Sequence, residues 1–236
     1  MPKLGVNIDH VATLRQARGE EQPNLLVAAA ICEKAGAHSI VAHLREDRRH
    51  IQDTDVRALK KTVKRLNLEM SIAADVVQLA LDVRPHVATL VPERRQELTT
   101  EGGLNVVGHF SRIKRAVERL QNKNIIASLF VDPRPVQIEA AKKTGAWMIE
   151  LHTGDYARAL SPQTVKRELM TLQRMTRLAR EKGLIVSAGH GLNYANTRAV
   201  ADIEGIEELN IGHSIVTQAV FAGLKQAVKE MVKLVK

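Results

Sequence analysis

The sequence is poor in cysteine, in aromatic residues and in long apolar runs, and each shortage excludes a class of protein. Its single cysteine, Cys32, rules out an internal disulfide, and the apolar helical segment around it predicts a core thiol. Aromatic residues make up 3% of the chain, which argues against nucleic-acid binding by base stacking. No stretch of about 18 apolar residues is present, and the first residues lack the apolar region of a signal peptide. We therefore expect a cytoplasmic protein that neither enters a membrane nor is secreted.

Familiar metal and Schiff-base motifs are also missing. The sequence contains neither a Cys-x-x-Cys pair nor a His-x-x-x-His pair with a glutamate, so we expect no metal ion. A site built from three scattered histidines stays open as a geometric alternative. No lysine ends a predicted strand, which disfavours an imine to the enzyme itself. We therefore expect neither a metal site nor an imine between the enzyme and a substrate.

The length and charge of the chain limit its organisation and its partners. The 236 residues, 44% of them hydrophobic, predict one α/β domain spanning residues 1–236. The formal net charge of +9 would attract nucleic acid, anionic lipid or small phosphorylated substrates. The basic residues recur at helical spacing, which favours solvated helix faces over a nucleic-acid stripe. We therefore expect no nucleic-acid partner and no membrane partner.

Short apolar runs alternate with helical patterns along the whole chain. This order predicts a (β/α)8 TIM barrel with extra helices; an open doubly wound sheet is the alternative. Since aromatic residues are scarce, we expect branched aliphatic side chains to fill the barrel interior. The predicted strands lie near residues 4–8, 39–43, 67–72, 86–91, 125–131, 147–151, 184–188 and 207–211. The predicted helices span residues 24–35, 53–65, 74–83, 110–122, 133–144, about 161–182 and 212–234.

Several of the apolar runs contain or end in a side chain suited to acid–base chemistry. His43 ends the second run, and His190 follows the seventh. Glu69 and Glu150 interrupt buried runs, where loss of solvent would raise the pKa of a carboxyl group. The alternatives are an exposed glutamate at a strand end for Glu69 and a structural pair with an arginine for Glu150. Because the strand ends of a barrel meet at one face, we expect an active site there.

Glycine turns follow the last two predicted strands. They are Gly189-His190-Gly191 and Gly212-His213-Ser214. Barrels often bind phosphate at these positions, through loop amides and the N-terminus of a helix. Gly191, Gly212 and His213 are therefore candidates for a phosphate site, although glycine also serves in ordinary turns and His213 could simply cap a helix.

Other polar residues follow the first, second and fourth strands. Asn7, Asp9 and His10 leave the first strand together, with Arg15 and Arg18 expected in the loop that follows. Asp9 could instead cap a turn. Candidate residues after the second and fourth strands are Arg45, His50 and Thr99. Arg45 and His50 suit a phosphate or carboxylate, their neighbours from Glu46 to Arg49 fit a solvated loop equally well, and Thr99 precedes a glycine pair that suits either a mobile loop or a turn.

Taken together, eight segments of the sequence closely resemble the pyridoxine 5′-phosphate synthase family. They occur in family order from one end of the chain to the other. The segments are Gly5–His10, His43–His50, Asn67–Met70, Val91–Glu97, Thr99–Leu104, Glu150–Gly154, Ala188–Leu192 and Glu208–His213.

The resemblance implies an activity and a role for each matching residue. The implied reaction condenses 1-deoxy-D-xylulose 5-phosphate with 3-amino-2-oxopropyl phosphate to give pyridoxine 5′-phosphate, inorganic phosphate and water, without a cofactor. By resemblance, His43 and Glu69 are proton acceptors, His190 is a proton donor and Glu150 stabilises the transition state. The implied ligands of the sugar phosphate are Asp9, His10, Arg45, His50 and Thr99. Those of the aminoketone phosphate are Asn7, Arg18, Gly191, Gly212 and His213.

The resemblance also implies a homo-oligomer, an octamer built from dimers. The long helix from about Ser161 is a candidate contact, and packing against the core is the alternative explanation of its apolar stripe. Two other functions stay open. Another phosphate-handling barrel enzyme, an isomerase or an aldolase, would share the glycine turns and the acid–base groups. A basic RNA-binding module would be supported by charge alone.

Overall fold

Eight parallel strands close into a barrel in a computed structural model that describes residues 1–93 and 102–236. Each strand pairs with the next one along the chain, and the eighth pairs with the first. This topology confirms the predicted (β/α)8 barrel, and the strand ends differ from the predicted ones by no more than two residues. The strands are β1 Lys3–Asn7, β2 Ser39–Leu44, β3 Leu66–Met70, β4 Val87–Leu90, β5 Ile126–Val131, β6 Met148–His152, β7 Ile185–Gly189 and β8 Ile206–Ile211.

Helices follow the strands and cover the outside of the barrel. None in the described part is both long enough and apolar enough to cross a membrane. They are α1 Asp9–Gln16, α2 Leu25–Ala35, α3 Asp53–Thr62, α4 Ala74–Val83, α5 Phe110–Gln121, α6 Pro135–Lys143, α7 Gly154–Arg158, α8 Pro162–Glu181, α9 Thr197–Ala201, α10 His213–Ala222 and α11 Leu224–Val235.

Three features of the helical layer differ from the predictions: α1, the short helices α7 and α9, which no predicted helix covers, and the segment 212–234. The segment after β1, predicted as a loop, forms α1, whose short run has only a weak apolar stripe. The single helix predicted over 212–234 is two helices, because Gly223 adopts a φ of 77° between them. A left-handed glycine ends a helix at little cost, and a periodic apolar pattern can continue across such a break.

The aliphatic core lies outside the barrel, between the sheet and the helices. Alternate strand residues face outward, among them Ile40, Leu68 and Leu209, and they pack in one cluster with the buried faces of the helices. The inward positions are largely small or polar. Buried polar residues of the strands are Ser39, His43, Asn67, Thr89, Ser128, Glu150, His152, Ser187, Glu208 and Asn210. The expectation of a branched aliphatic interior is therefore wrong, and the few aromatic residues were no guide to this layer.

The same alternation places functional side chains at the mouth of the barrel. His43 and Glu69 are direct partners in the register of β2 and β3, so they lie at the same height. Glu150 lies two residues before His152 on β6, and strand residues two apart face the same side. The inward positions near the C-terminal ends of the strands therefore form one layer of titratable groups.

Candidate active site

A cavity of about 590 Å³ opens at the C-terminal ends of the strands. Its walls come from strands on all sides of the barrel and from the loops that follow β7 and β8. The lining residues are Asn7, Asp9, His10, His43, Glu69, Val91, Phe130, Glu150, His190, Gly191, Leu192, Asn193, Asn210, Ile211, Gly212, His213 and Ser214. The volume suits small-molecule ligands.

Most of the candidate residues from the sequence meet at this cavity. Ten of them line it: Asn7, Asp9, His10, His43, Glu69, Glu150, His190, Gly191, Gly212 and His213. His50 lies beside it, with its ring centroid 6.2 Å from that of His43. Arg45 is buried, and its Nε lies 3.2 Å from Asp47. The predicted convergence of strand ends therefore brings these side chains to one place.

Arg18 is not among the residues that line the cavity in the described structure. The side chain of Arg18 is 78% exposed beyond the end of α1, and its nearest ionic partner is Glu20 at 3.6 Å. Arg18 follows the end of α1, the helix that forms in place of the predicted loop. Thr99 lies outside the described residues, so its predicted role stays a prediction.

Three carboxyl groups face the cavity with little water around them. Burial raises the pKa of Asp9, Glu69 and Glu150, and the charges of Glu150 and Asp9 raise that of Glu69 further. Amide side chains separate the acids: Asn7 Nδ2 donates to Asp9 at 2.8 Å, and Asn210 Nδ2 donates to Glu150 at 2.6 Å. Three buried carboxyl groups in one cavity therefore retain protons at a pH where isolated ones are ionised.

The raised pKa of Glu69 predicts that Glu69→Gln stabilises the free protein in mildly alkaline solution. A carboxyl group whose pKa is raised by folding binds its proton more tightly in the folded chain. The free energy of unfolding therefore falls as the pH rises from about 4.3, the unfolded value, through the folded value. Glutamine does not titrate, so the variant does not lose this part of the free energy of unfolding as the pH rises. Urea unfolding at about pH 8 should give the variant a higher midpoint than the wild type, with a smaller difference at about pH 4.

His43 is fixed through its backbone rather than its ring. Its amide N–H donates to Asp9 Oδ1 at 2.8 Å, and its Nε2 atom is buried with no hydrogen-bond partner in the described structure. Burial, followed by the charges of His50 and Arg45, lowers the pKa of His43 to about 3. The ring is therefore neutral at physiological pH, and an imidazole nitrogen can accept a proton from a bound substrate.

A metal ion was not expected, yet one group of side chains has suitable donors. Donor atoms of Asp9, His43 and Glu69 lie within 4.8 Å of one another. Both oxygens of Asp9 already accept hydrogen bonds, from the His43 amide and from Asn7, each at 2.8 Å. Satisfied carboxylate oxygens fit an organic substrate site better than an open coordination sphere, and the absence of a metal stays a prediction.

The turns after β7 and β8 join to form one wall of the cavity. His190 and Gly191 both adopt left-handed backbone, with φ of 81° and 78°. Ser214 Oγ donates to the Leu192 carbonyl at 2.8 Å and so ties the first turn of α10 to the loop after β7. At Gly212 an added Cβ would lie 2.8–2.9 Å from Asn7 atoms, so only glycine allows this close approach. The backbone amides at the start of α10 are thereby presented to the cavity, as a phosphate site requires.

The sequence motifs did not single out some side chains that the structure places here. Phe130, Asn193, Asn210 and Ser214 line the cavity, and His152 lies with its ring centroid 5.1 Å from that of His190. Three of them could have been found from the sequence, because alternate residues of a strand face the same side. Phe130 is an inward position near the end of β5, Asn210 lies two residues before Gly212, and His152 two after Glu150. Asn193 lies in the loop after β7, and Ser214 lies in the first turn of α10, so strand alternation applies to neither.

The histidines of the free protein should take up protons when an anion binds. Burial lowers the pKa of His43 to about 3 and that of His50 and His190 to about 4, and it also lowers that of His10. A nearby dianion favours the charged form of each ring and raises these pKa values. Calorimetric titration with sulfate at pH 7, in buffers of different ionisation enthalpy, should show net proton uptake. Sulfate has no proton to exchange at this pH, so the uptake would belong to the protein.

The matched control for this titration is His38→Asn, because His38 precedes β2 at the opposite end of the barrel. It should leave the uptake unchanged, whereas His190→Asn should reduce it. Binding of sulfate at the wild-type cavity without any proton uptake would contradict the assignment of neutral histidines.

The barrel and its cavity define a class of protein. Carboxyl groups and histidines with displaced pKa values meet at the C-terminal face of a (β/α)8 barrel, beside a glycine wall suited to anions. This combination is that of an acid–base enzyme. A family model described as pyridoxal phosphate biosynthesis protein PdxJ matches residues 4–236. The chain belongs to this family.

Relatives of high identity match the chain from end to end. Pyridoxine 5′-phosphate synthase of Geotalea uraniireducens (strain Rf4) is 57% identical over 100% of this chain and 99% of its own length. The enzyme of the same name from Geobacter sulfurreducens is 55% identical with the same coverage. The resemblance seen in the sequence motifs is therefore confirmed over the full length.

Distant solved structures share the fold alone. Phosphoribosylanthranilate isomerase from Thermotoga maritima superimposes with a TM-score of 0.62 at 13% identity, covering 100% of this chain and 98% of that chain. The tryptophan synthase α-subunit from Pyrococcus furiosus gives a TM-score of 0.65 at 13% identity, covering 98% and 97%. At such low identity these neighbours confirm the barrel and carry no information on the substrates of this chain.

Proposed function

We propose that this chain condenses 1-deoxy-D-xylulose 5-phosphate with 3-amino-2-oxopropyl phosphate to form pyridoxine 5′-phosphate, inorganic phosphate and water. The observation that carries the proposal is the match of the whole chain, at 53–57% identity, to enzymes named pyridoxine 5′-phosphate synthase. The cavity supports the proposal because several acid–base groups line it. Imine formation, proton transfer, dehydration, phosphate loss and ring closure each move protons, so one acid and one base would not suffice.

His43 and Glu69 act in this proposal as the proton acceptors. Their Cα atoms are partners across β2 and β3, so one substrate can meet both without moving far. The imidazole of His43 is neutral and its Nε2 unoccupied in the described structure. Glu69 accepts a proton once it has lost its own, and a cationic imine nearby favours that ionised form.

Glu150 stabilises positive charge that develops on the substrates. The hydrogen bond from Asn210 holds one of its oxygens, and the approach of Gly189 to the other leaves no room for a side chain there. A carboxylate fixed before the reaction stabilises an iminium without reorganisation of its surroundings. The charge of the imine and the ionisation of Glu150 are therefore mutually favourable.

His190 acts as the proton donor, and the substrates supply the condition for it. In the free protein the ring is neutral, since burial and His152 lower its pKa to about 4. Two bound phosphate groups bring negative charge into the cavity and raise the pKa of His190 toward neutrality. The donor is thus charged only when the substrates are in place.

Two groups of residues bind the substrates in this proposal. Asp9, His10, Arg45, His50 and Thr99 bind the sugar phosphate; Asn7, Arg18, Gly191, Gly212 and His213 bind the aminoketone phosphate. The contact between the rings of His10 and His213, 4.9 Å apart, brings the two groups together at the mouth of the cavity. Adjacent binding sites are what an imine between two substrates needs.

The quaternary structure, domain organisation and location are part of the same proposal. We propose a single catalytic domain over residues 1–236, assembled as a homo-octamer in the cytoplasm and working without metal or other cofactor. Apolar side chains exposed on the chain, including Val220 and Phe221 on α10, support association. Light scattering on the purified protein would measure the assembly.

The reaction is tested by mixing the purified protein with both substrates and following pyridoxine 5′-phosphate by absorbance and mass. Product is expected only when both substrates are present. Turnover of one phosphorylated substrate alone would favour the isomerase or aldolase alternative. Salt-sensitive RNA affinity that survives His43→Ala and Glu69→Ala, together with no turnover of either substrate, would favour the RNA-binding alternative.

A further inference from the structure

We propose that Asp132 and His152 are positioning residues for His190: Asp132 orients the ring of His152, and that ring sets the placement and proton affinity of His190. The inference rests on the proposed function, in which His190 donates a proton. Neither Asp132 nor His152 belongs to the site inferred from the sequence.

The three residues follow consecutive strands at the mouth of the barrel. Asp132 comes directly after β5, His152 ends β6 and His190 comes directly after β7. In the register of β6 and β7 the partner of His152 is Gly189, the residue before His190. Three neighbouring strands therefore deliver an acid and two imidazoles in one row.

The carboxylate of Asp132 orients the first ring. Asp132 Oδ1 lies 3.2 Å from His152 Nδ1 and also accepts the Gly103 amide at 2.7 Å. The hydrogen bond with His152 holds the pKa of Asp132 below its usual value, so the group is ionised at neutral pH. Because a carboxylate can only accept, Nδ1 of His152 carries the proton. In the neutral ring, Nε2 is then left with its lone pair.

The ring of His152 meets His190 in a closed setting. The side chain of His152 is 3% exposed, and its ring centroid lies 5.1 Å from that of His190. The ring of Phe130 lies beside both, with its centroid 5.2 Å from that of His152 and 6.4 Å from that of His190. Nε2 of His152 is buried without a hydrogen-bond partner among the described residues, although a buried ring nitrogen normally has one.

The backbone of His190 depends on the same strand. Thr153, the residue after His152, donates its hydroxyl to the carbonyls of Gly189 and His190, at 2.7 and 2.6 Å. His190 adopts a φ of 81°, a conformation that needs support from its surroundings for a residue with a side chain. The end of β6 therefore fixes the turn that carries His190, while His152 fixes its ring.

The arrangement gives the pair two separable effects on His190. The ring of His152 holds that of His190 by contact, which affects the geometry of proton transfer at every pH. Burial, His152 and Arg158 lower the pKa of His190, and the negative charge of Asp132 opposes that effect, which changes the pH at which the donor loses its proton. One substitution at each position distinguishes the two effects.

His152→Asn tests the contact. The asparagine amide can still donate to Asp132, but the outer part of the ring beside His190 is removed. We expect kcat for pyridoxine 5′-phosphate formation to fall about 10- to 100-fold across the pH range with little change in either KM, because misplacement of a reacting group costs rate.

Asp132→Asn tests the charge. Its Oδ1 can still accept from Gly103 and His152, so the shape of the site is retained while the negative charge is lost. The alkaline limb of kcat against pH should shift downward by about one unit, since His190 would lose its proton more readily. Asp132→Glu, which restores the charge, should move this limb back toward that of the wild type.

Two controls separate this inference from the function on which it rests. Asp202→Asn removes an exposed carboxylate that pairs with Arg198, and it should change neither kcat nor the pH profile. His190→Asn should abolish turnover; if it does not, the proposed role of His190 fails. If His190→Asn is inactive while folded His152→Asn keeps wild-type kcat, or if Asp132→Asn keeps the wild-type pH profile, the positioning role is wrong and the function stands.

Discussion

Glu69→Gln is expected to lower turnover by about 10²- to 10⁴-fold, the range that a positioned general base contributes. Glutamine has nearly the same shape as glutamate and can keep the long contact of 3.5 Å from Asn7. It cannot accept a proton from a substrate. The loss should therefore appear in kcat, with the KM for each phosphorylated substrate changed far less. Steady-state kinetics with both substrates measures it.

The control for this variant is Glu204→Gln, an exposed glutamate just before β8 at the opposite end of the barrel. It removes one carboxylate from the chain and should leave kcat and KM unchanged. Turnover of Glu69→Gln equal to that of the wild type would reject Glu69 as a proton acceptor. The urea unfolding measurement at about pH 8, in which this variant should have the higher midpoint, also tests whether the variant is folded.

Gly212→Ala is expected to lower kcat/KM by about 10²-fold or more, mainly through binding. The added methyl would lie 2.8 Å from Asn7 Cβ and 2.9 Å from its carbonyl oxygen, and backbone atoms at the end of β1 cannot move aside freely. Overpacking of this kind displaces the structure locally. The first turn of α10 would move relative to Asn7, and the KM for the aminoketone phosphate should rise. Steady-state kinetics and sulfate affinity both measure the effect.

Gly145→Ala is the matched control for the loss of a glycine. Gly145 precedes β6 at the opposite end of the barrel and has a φ of 88°, and a Cβ added there would meet no atom of a more distant residue within 4 Å. Alanine there strains the backbone, so the free energy of unfolding should fall by about 1 kcal/mol. Its kcat/KM should stay at the wild-type value. If Gly212→Ala also retained wild-type kcat/KM and sulfate affinity, the turn after β8 would not be the phosphate site.

Local patterns were sufficient to predict the barrel and the level of its active site. Each strand is a short apolar run, and each is followed by a helical period or a loop, so the order of elements emerged from the chain itself. The resemblance of eight segments to one family predicted the reaction, and the relatives confirm that family. His43, Glu69, Glu150 and His190 could be found because each interrupts or follows an apolar run.

Other features escaped the sequence because they depend on contacts between distant segments. The α1 helix has a weak apolar stripe, so the position of Arg18 beyond its end could not be inferred. Asn210 acquires its importance only when β8 lies across from Glu150 on β6. The pairing of Asp132 with His152 likewise joins residues 20 positions apart, at the ends of neighbouring strands.

The sequence by itself determined the fold class, the family and the identities of most groups at the cavity. Apolar periodicity is a pattern of a few neighbouring residues, so it can be recognised without the rest of the structure. The residue type at the end of a predicted strand can likewise be read directly from the sequence. The tertiary structure decided the electrostatic state of those groups. Desolvation raises the pKa values of the acids, and the charges of Glu150 and Asp9 raise that of Glu69 further. Burial, followed by the charges of His50 and Arg45, lowers the pKa of His43. These shifts arise from distances and solvent exclusion, which exist only once the barrel has closed.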